Sequence, residues 1–231
     1  MNTRTAPPVI TLDGPAGSGK STTARAVAER LGYLHLDSGA IYRAITLSLL
    51  ESGIPEKAWA DLTEADLQSI NIRVEVAGTR LLIFLGTRQV EDELRTARVT
   101  RAVSGAAQLP VVRGRLLALQ REAGRGGGLV ADGRDMGTVV FPDADLKVFL
   151  TADLHERARR RLMQEGDPDP SKDAVGAEAA RIAARDQTDS GRALAPLRQP
   201  EGALVLDTTR MTFEEQVQAI VEAARSLSSR D

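Results

Sequence analysis

The stretch Gly14-Pro-Ala-Gly-Ser-Gly-Lys20-Ser21 constrains this chain more than any other. It fits the pattern G-x-x-x-x-G-K-[ST] of a phosphate-binding loop. It follows an apolar run, Pro8–Leu12, and opens into a segment patterned as a helix, Thr22–Leu31. Strand, glycine loop and helix in that order are the context the pattern needs. Glycines let backbone N–H groups turn inward as a nest around phosphate oxygens. The helix N-terminus adds a positive end, Lys20 reaches the terminal phosphates and the Ser21 hydroxyl holds Mg²⁺. The expected cradle is the whole run of Gly14, Pro15, Ala16, Gly17, Ser18, Gly19, Lys20, Ser21 and Thr22. With 20 Gly and 4 Lys in 231 residues, such a match arises by chance in roughly four of a thousand chains of this make-up. The chain is therefore expected to bind a nucleoside triphosphate.

Composition narrows the class. A length of 231 residues suits one α/β domain with an inserted or mobile part, and 42% hydrophobic with 27% charged residues is ordinary for a globular chain. A net charge of −2 gives no electrostatic case for a nucleic-acid polymer or an anionic membrane as partner. Of the 30 basic residues 26 are Arg, the side chain that pairs bidentately with phosphate, although genomic composition can produce the same bias. The absence of cysteine excludes disulfides and thiolate metal sites. The first fifteen residues hold no apolar signal core, and no apolar run approaches the ~20 residues of a membrane span. A cytoplasmic location follows as the expectation, with Met1–Pro7 as a frayed tail.

Beyond the loop helix, Gly32 reads as a C-cap, and Tyr33–Asp37 as a short strand. Ser38 is placed as the N-cap of a helix over Ile41–Glu51, with Arg43 one turn in. Residues 55–70 are helical and weakly patterned. Asn71–Val76 and Arg80–Leu85 read as a hairpin, with Gly86–Val90 a possible third strand. Antiparallel strands inside a βα chain indicate an inserted subdomain rather than a continuation of the parallel sheet. Glu91–Ala107 reads as a helix with Val99, Val103 and Ala107 on one face, and Pro110 begins another running to about Arg121.

The next strand, Leu129–Asp132, ends in Asp132-Gly-Arg134-Asp135. Two carboxylates and a guanidinium thus sit at the carboxyl edge, where doubly wound sheets bind ligands. Asp145–Leu150 is a fourth core strand and Ala203–Asp207 a fifth. Asp153-Leu-His-Glu156 reads as a capping box opening a helix over 154–165. That helix carries Arg157, Arg159, Arg160 and Arg161, with Arg157, Arg160 and Arg161 on one face. A polar stretch, Gly166–Ser171, joins it to a second helix bearing Arg181, Arg185, Asp189 and Arg192 at helical spacing. Two arginine-bearing helices on a hinge suit a lid that closes over phosphates. Thr212–Glu215 is a capping box for the last helix, whose Phe213, Val217, Ile220, Val221, Ala224 and Leu227 form a core stripe. His35 and His155 stand in no motif and support neither a metal site nor a triad.

Phosphoryl transfer has to neutralise charge on the moving group while excluding water, and an arginine-rich lid does both. No N-K-x-D base-reading signature of a GTPase is present, and Asp132 is the one candidate for a Walker-B acid. A small-molecule kinase is the leading reading of the residues. A regulatory nucleotide-binding switch with no acceptor substrate is the alternative from another class.

The chain resembles the bacterial cytidylate kinases over nearly its whole length. The resemblance rests on Asp13–Thr22, on Leu36-Asp-Ser-Gly-Ala-Ile-Tyr-Arg43, on Ala131–Pro142, and on Arg185-Asp-x-x-Asp189-x-x-Arg192 with Ala195-Pro-Leu197. It implies a P-loop kinase fold, α/β, with a five-stranded parallel sheet flanked by helices. The implied core is 8–37, 105–152 and 203–231, with a small antiparallel monophosphate-binding subdomain at about 38–104 and an arginine-rich helical lid at about 153–192. It implies ATP-dependent phosphorylation of CMP and dCMP with Mg²⁺; the absence of a leftover exposed apolar stripe in the sequence gives a monomer as the expectation.

Carried over by position, Ser104, Arg113 and Asp135 read the cytosine edge with Ser38 beside them. Arg43, Arg134 and Arg192 hold the acceptor phosphate, and Arg185 with Asp189 holds the ribose. Lid arginines such as Arg157 and Arg161 bridge donor phosphates. Lys20 and Arg134 belong to the catalytic centre with Asp132, which acts through Mg²⁺-bound water or by orienting an arginine. Another monophosphate kinase, accepting UMP or dTMP, is the runner-up.

Overall fold

In a parallel sheet covered on both faces, each strand has to be apolar on both sides. β1 (Val9–Asp13) and β6 (Leu129–Gly133) meet that demand, with every residue from Ile10 to Asp13 and from Leu129 to Gly133 buried. The fold is that of a computed structural model, which describes residues 6–228. Residues 1–5 of the expected tail and residues 229–231 of the last core segment lie outside the described residues. Pro7 is not frayed, because its carbonyl accepts the Gly128 N–H at 3.0 Å and so leads the chain into β1.

Around β1 and β6 stand β2 (Leu34–Asp37), β7 (Leu146–Thr151) and β8 (Leu204–Asp207), in the order β2-β6-β1-β7-β8 and all parallel. This is the expected five-stranded parallel core. Register sets the site: Leu12 pairs with Asp132 and Asp13 with Gly133 across β1–β6, while Asp37 pairs with Asp132 across β2–β6. The glycine loop after β1 and the Gly-Arg-Asp turn after β6 therefore leave the sheet side by side.

Side chains alternate between two apolar layers. Ile10, Leu12, Val130 and Val148 face α1 (Lys20–Leu31) and α8 (Phe213–Ser228), packing with Val27, Val217 and Ile220. Leu36, Leu129 and Ala131 face the other layer, built on α2 (Ser38–Glu51), α4 (Ala97–Ala106) and α5 (Pro110–Ala123). A third, small cluster joins Ala16 of the loop to Ala158 of α6 (Leu154–Gln164) and to Ala179 and Ile182 of α7 (Lys172–Ser190). Among the described residues no helix is long and apolar enough to cross a membrane.

Several local expectations change in the structure. α2 begins at Ser38, and its N-cap is Asp37, whose carboxylate accepts the Ala40 N–H at 2.9 Å. An acid one residue earlier completes the cap, which leaves Ser38 buried against Gly133. Residues 55–70 divide into a 3₁₀ turn, Glu56–Asp61, and α3 (Glu64–Gln68). The expected helix over Glu91–Ala107 divides at Thr96, which caps α4 after a 3₁₀ turn, Glu93–Arg95. Asp153 caps α6, but Glu156 turns to Arg159 and Arg160 instead of closing a capping box. Thr212 and Glu215 do form one, with both reciprocal backbone bonds. Phe213 is exposed rather than part of the α8 core stripe.

The hairpin of β3 (Ile72–Ala77) and β4 (Arg80–Leu85), with β5 (Arg88–Gln89) on β4, is not separate from the sheet. β4 joins β2 in parallel at one pair, His35 with Arg80, so the hairpin prolongs the sheet edge.

Gly14 turns at φ 152°, and a Cβ there would lie 2.0 Å from the Leu150 carbonyl oxygen of β7, backbone that has no room to move. Gly14→Ala is expected to cost about 3 kcal/mol, lowering the melting temperature by roughly 6–12 °C. A calorimetric scan that finds less than about 2 °C would show that the loop shifts freely.

Candidate active site

Loop and turn meet at a chain of short contacts. Gly14, Gly17 and Gly19 all have positive φ, and Lys20 opens α1 with its Nζ folded back onto the Pro15 carbonyl at 2.8 Å. The Ser18 hydroxyl is buried with no hydrogen-bond partner. Ser21 Oγ donates to Asp132 Oδ2 at 2.5 Å, and the other oxygen of Asp132 meets His35 Nε2 at 2.8 Å. Beneath them Asp13 accepts the Met136 and Gly137 N–H groups at 2.8 and 2.7 Å, clamping the π-helical turn Met136–Val140 to the end of β1. Burial pushes the Asp13 carboxyl up to about 6 despite those two bonds.

Most of the sequence-derived site residues line two adjoining arms of one depression, which Gly14, Pro15, Ser18 and Arg157 do not line. The first arm is lined by Ser38, Tyr42, Arg43, Ser104, Arg113, Arg134, Asp135, Arg185, Asp189 and Arg192, and the second runs from the loop toward Arg161 and Arg181. The arms share Lys20, Ser21, Ser104 and Arg185. Thr22 lines the second arm and is exposed.

Within the first arm, acids hold the arginines in place. Arg113 is ion-paired with Asp135 and lies over the Tyr42 ring, its guanidinium carbon 5.5 Å from the centroid. Asp189, only 1% exposed, accepts Arg134 Nε at 2.7 Å and also pairs with Arg192. Arg43 donates to the Leu94 carbonyl at 3.1 Å and to Thr100 Oγ1 at 2.8 Å. The Nε atoms of Arg185 and Arg192 are buried without partners.

Seven lysine and arginine side chains and four aspartates line this arm, which leaves it cationic. The crowding registers in the side chains themselves. Burial, then the Arg134 and Arg185 charges, push the Lys20 ammonium down to about 7. Burial and neighbouring guanidinium groups bring Arg43 and Arg185 down to about 10. Burial outweighs Arg113 and Arg192 in raising the Asp135 carboxyl, and Asp37 is raised by burial and by Asp132.

Arg157 does not enter the second arm. Its Nε donates to the Ala152 carbonyl, and its Nη1 to the Ala16 carbonyl at 2.8 Å and to Asp186 Oδ2 at 2.5 Å. Asp186 in turn accepts the Ala16 N–H at 2.8 Å, so α6 and α7 together grip both backbone polar groups of one residue of the glycine loop. The expected placement of Arg157 on donor phosphates is corrected by this grip. Arg160 and Arg161 line the second arm instead, and Arg161 is paired only within its helix, to Glu165 at 2.8 Å.

Asp186, Tyr42 and His35 are the site residues that sequence reasoning missed. Asp186 and Tyr42 lay inside quoted motifs with no role attached. His35 had no local signal, since its partner Asp132 is 97 residues away.

A hydroxyl and a carboxylate are hard oxygen donors of the kind Mg²⁺ takes together with phosphate and water. Ser21 and Asp132 fit that ion without a dedicated cage, and among the described residues no group of three or more His, Cys, Asp or Glu side chains could hold a metal.

Comparison with known proteins decides the family. The cytidylate kinase family model matches residues 10–226. The chain belongs to the cytidylate kinase family. The cytidylate kinase of Chloroherpeton thalassium is 44% identical over 96% of this chain and 94% of its own length. That of Salinibacter ruber is 45% identical over 96% of this chain and 99% of its own. A gluconokinase structure from Sinorhizobium meliloti has a TM-score of 0.50 at 16% identity, covering 98% of this chain and 97% of its own, a likeness of fold alone. The fold and family expected from the motifs are thus borne out.

Lys20 supplies a test of the site's electrostatics. A polyphosphate beside it restores the charged form, so above pH 7 binding has to take up a proton. Titration calorimetry of ATP at pH 8 in buffers of different ionisation enthalpy is expected to show uptake of nearly one proton, vanishing below about pH 6. Affinity accordingly falls as pH rises through 7. A buffer-independent enthalpy at pH 8 would mean that the lysine is already charged.

Proposed function

We propose that this cytidylate kinase family member transfers the γ-phosphoryl group of ATP to CMP or dCMP, releasing ADP and CDP or dCDP. The observation that carries the reading is the cationic seam at Lys20, Ser21 and Arg185, where the arms of the cleft meet. A transferase needs both nucleotides' phosphates at one point, whereas a switch needs a single phosphate site. Burial and neighbouring cations lower Lys20, Arg43 and Arg185 even with Asp132, Asp37 and Asp189 beside them, and an incoming phosphate would relieve that cost.

In this reading the first arm holds the monophosphate and the second the triphosphate. The glycine loop, Gly14 to Thr22, wraps the β- and γ-phosphates with its N–H groups and Lys20. Arg43, Arg134 and Arg192 hold the acceptor phosphate, Asp189 and Arg185 the ribose, and Arg161 closes from the lid. No general base is required, because an oxyanion of the acceptor phosphate is itself the nucleophile. As it bonds to the γ-phosphorus, the bond to the bridging oxygen breaks and ADP carries away the electron pair. Lys20, Arg134 and Arg185 meet the charge on the transferring oxygens, with Arg134 already held in place through its Nε by Asp189. Mg²⁺, bound by Ser21, Asp132 and the phosphates, supplies further neutralisation of the phosphate charge.

Base choice follows from Asp135, Arg113 and Ser104. A carboxylate accepts from the cytosine amino group, and a guanidinium donates to its O2 or N3. Uracil presents an acceptor where that amino group stands, which leaves Asp135 unpaired at roughly 1–3 kcal/mol.

Residues 38–104 act as the monophosphate-binding part and 153–192 as the lid, around the core formed by the rest. The protein acts in the cytoplasm, as a monomer, on free nucleotides rather than on a nucleic-acid polymer or membrane. A net charge of −2 agrees with that.

ADP release with CMP, dCMP, UMP, AMP, GMP and dTMP as separate acceptors tests the reading. Turnover confined to CMP and dCMP is expected, and equal ADP release without acceptor would make the protein an NTPase. Asp135→Ala is expected to cut the preference for CMP over UMP by about 10- to 100-fold. Unaltered selectivity would mean that another group reads the base.

A further inference from the structure

We infer that His35 is a positioning residue for Asp132, holding that carboxylate toward Ser21 and the metal end of the triphosphate. The inference rests on the placement of Asp132 beside Mg²⁺ given above.

Asp132, one residue before the end of β6, is 2% exposed, so its oxygens depend on partners within the fold. Ser21 Oγ donates to Oδ2, and Oδ1 faces His35 Nε2 at 2.8 Å. A carboxylate accepts only, so the proton lies on Nε2 of the imidazole. The terminal torsion of an aspartate is broad, and one hydrogen bond leaves it free to swing. Two bonds, one to each oxygen, fix the plane.

The direction in which it is fixed matters, because Asp37 stands directly opposite Asp132 in the β2–β6 register. Two acids facing each other across a ladder repel. His35 lies on the same face of β2 as Asp37, two residues earlier, and offers Asp132 a donor where Asp37 offers none.

His35 is itself held from the far side. It is the residue at which β2 meets β4, paired with Arg80, and its N–H donates to the Thr79 carbonyl at 2.8 Å. The hairpin over 72–85 thus reaches the acid of the phosphate site through a single residue. A histidine that merely filled space here, 6% exposed, could be replaced by an apolar side chain without effect on the metal.

Calorimetric binding of ATP to the full-length protein, in excess Mg²⁺ and in EDTA, separates these roles. His35→Leu is expected to weaken binding of Mg²⁺·ATP by about 10- to 100-fold while leaving ATP in EDTA within about twofold. His35→Gln, whose amide Nε2 can donate to the same oxygen, is expected to recover most of the loss. Combining His35→Leu with Asp132→Asn is expected to add nothing to Asp132→Asn alone, since the histidine acts through the acid. Unchanged Mg²⁺·ATP affinity in His35→Leu would overturn the inference. So would equal losses with and without Mg²⁺, His35→Gln no better than His35→Leu, or additive losses. The Asp132→Asn variant tells the two readings apart. If it keeps the full Mg²⁺-dependent gain, Asp132 is not at the metal and both readings fall. If it loses that gain while His35→Leu keeps it, only the role of His35 falls.

Discussion

The site depends on one buried carboxylate at the end of β1. Asp13 is the last residue of β1, fully buried, and its two oxygens take the Met136 and Gly137 N–H groups. The residues immediately before those amides are Arg134 and Asp135, and the residue immediately after Asp13 is Gly14. One side chain therefore ties the phosphate loop to the turn that carries the acceptor-side charges. Burial opposes it strongly enough to raise its carboxyl to about 6. The two bonds to backbone N–H groups pull the other way and hold the carboxyl at about 6, below neutrality, where it stays mostly ionised. The parallel register of β1 and β6 brings the two loops to one edge, and Asp13 fixes the remaining freedom between them.

Above this joint the site is built from repulsion. Lys20, Arg43, Arg185 and Arg192 are lowered first by burial and then by neighbouring guanidinium groups, and a bare cluster of that kind would splay apart. Asp189 takes Arg134 and Arg192 together, and Asp135 takes Arg113, so most guanidinium groups are anchored on one side and open on the other. The acids are too few to neutralise the first arm. What remains is oriented positive charge in a low-dielectric cleft, which a phosphate meets without rearranging the protein. The same logic holds α6 and α7 on the loop. Arg157 and Asp186 take the carbonyl and the N–H of Ala16, so these helices pack on the loop through a paired contact rather than through loose charges.

What could be read from the chain alone follows the range of the interactions. The glycine loop, the five parallel strands and the Asp-Gly-Arg-Asp turn are encoded by neighbours in sequence, and the structure assembles them as expected. The acceptor arm was legible too, because Arg113, Asp135, Arg134, Asp189 and Arg192 stand in dense local motifs. The failures are of two kinds. Where two neighbouring residues can do the same job, as Asp37 and Ser38 can at the start of α2, local pattern does not choose between them. Where the decisive partner is far along the chain, local pattern is silent. Arg157 finds Ala16 from 141 residues away, and His35 finds Asp132 from 97. The hairpin misled for a related reason, since its own strands are antiparallel while its link to the sheet is one parallel pair.

That single pair gives the inserted hairpin a physical meaning. β4 meets β2 at one residue pair, whereas β2 and β6 have four residues in register, and Ile83 of β4 joins the apolar layer of Leu36, Leu129 and Ala131. α2, which carries Tyr42 and Arg43, packs against β4 as well as against the core strands. Arg88 bridges Glu51 at the end of α2 to Glu93 before α4, so hairpin, α2 and α4 are linked as one piece. This seam thus falls between the face carrying Tyr42 and Arg43 and the strands that carry the glycine loop. A kinase of this family has to admit a second nucleotide and then bring its phosphate against the first, which requires compliance at that seam and rigidity within each side. His35 sits on the seam itself, its backbone in the hairpin joint and its imidazole on Asp132.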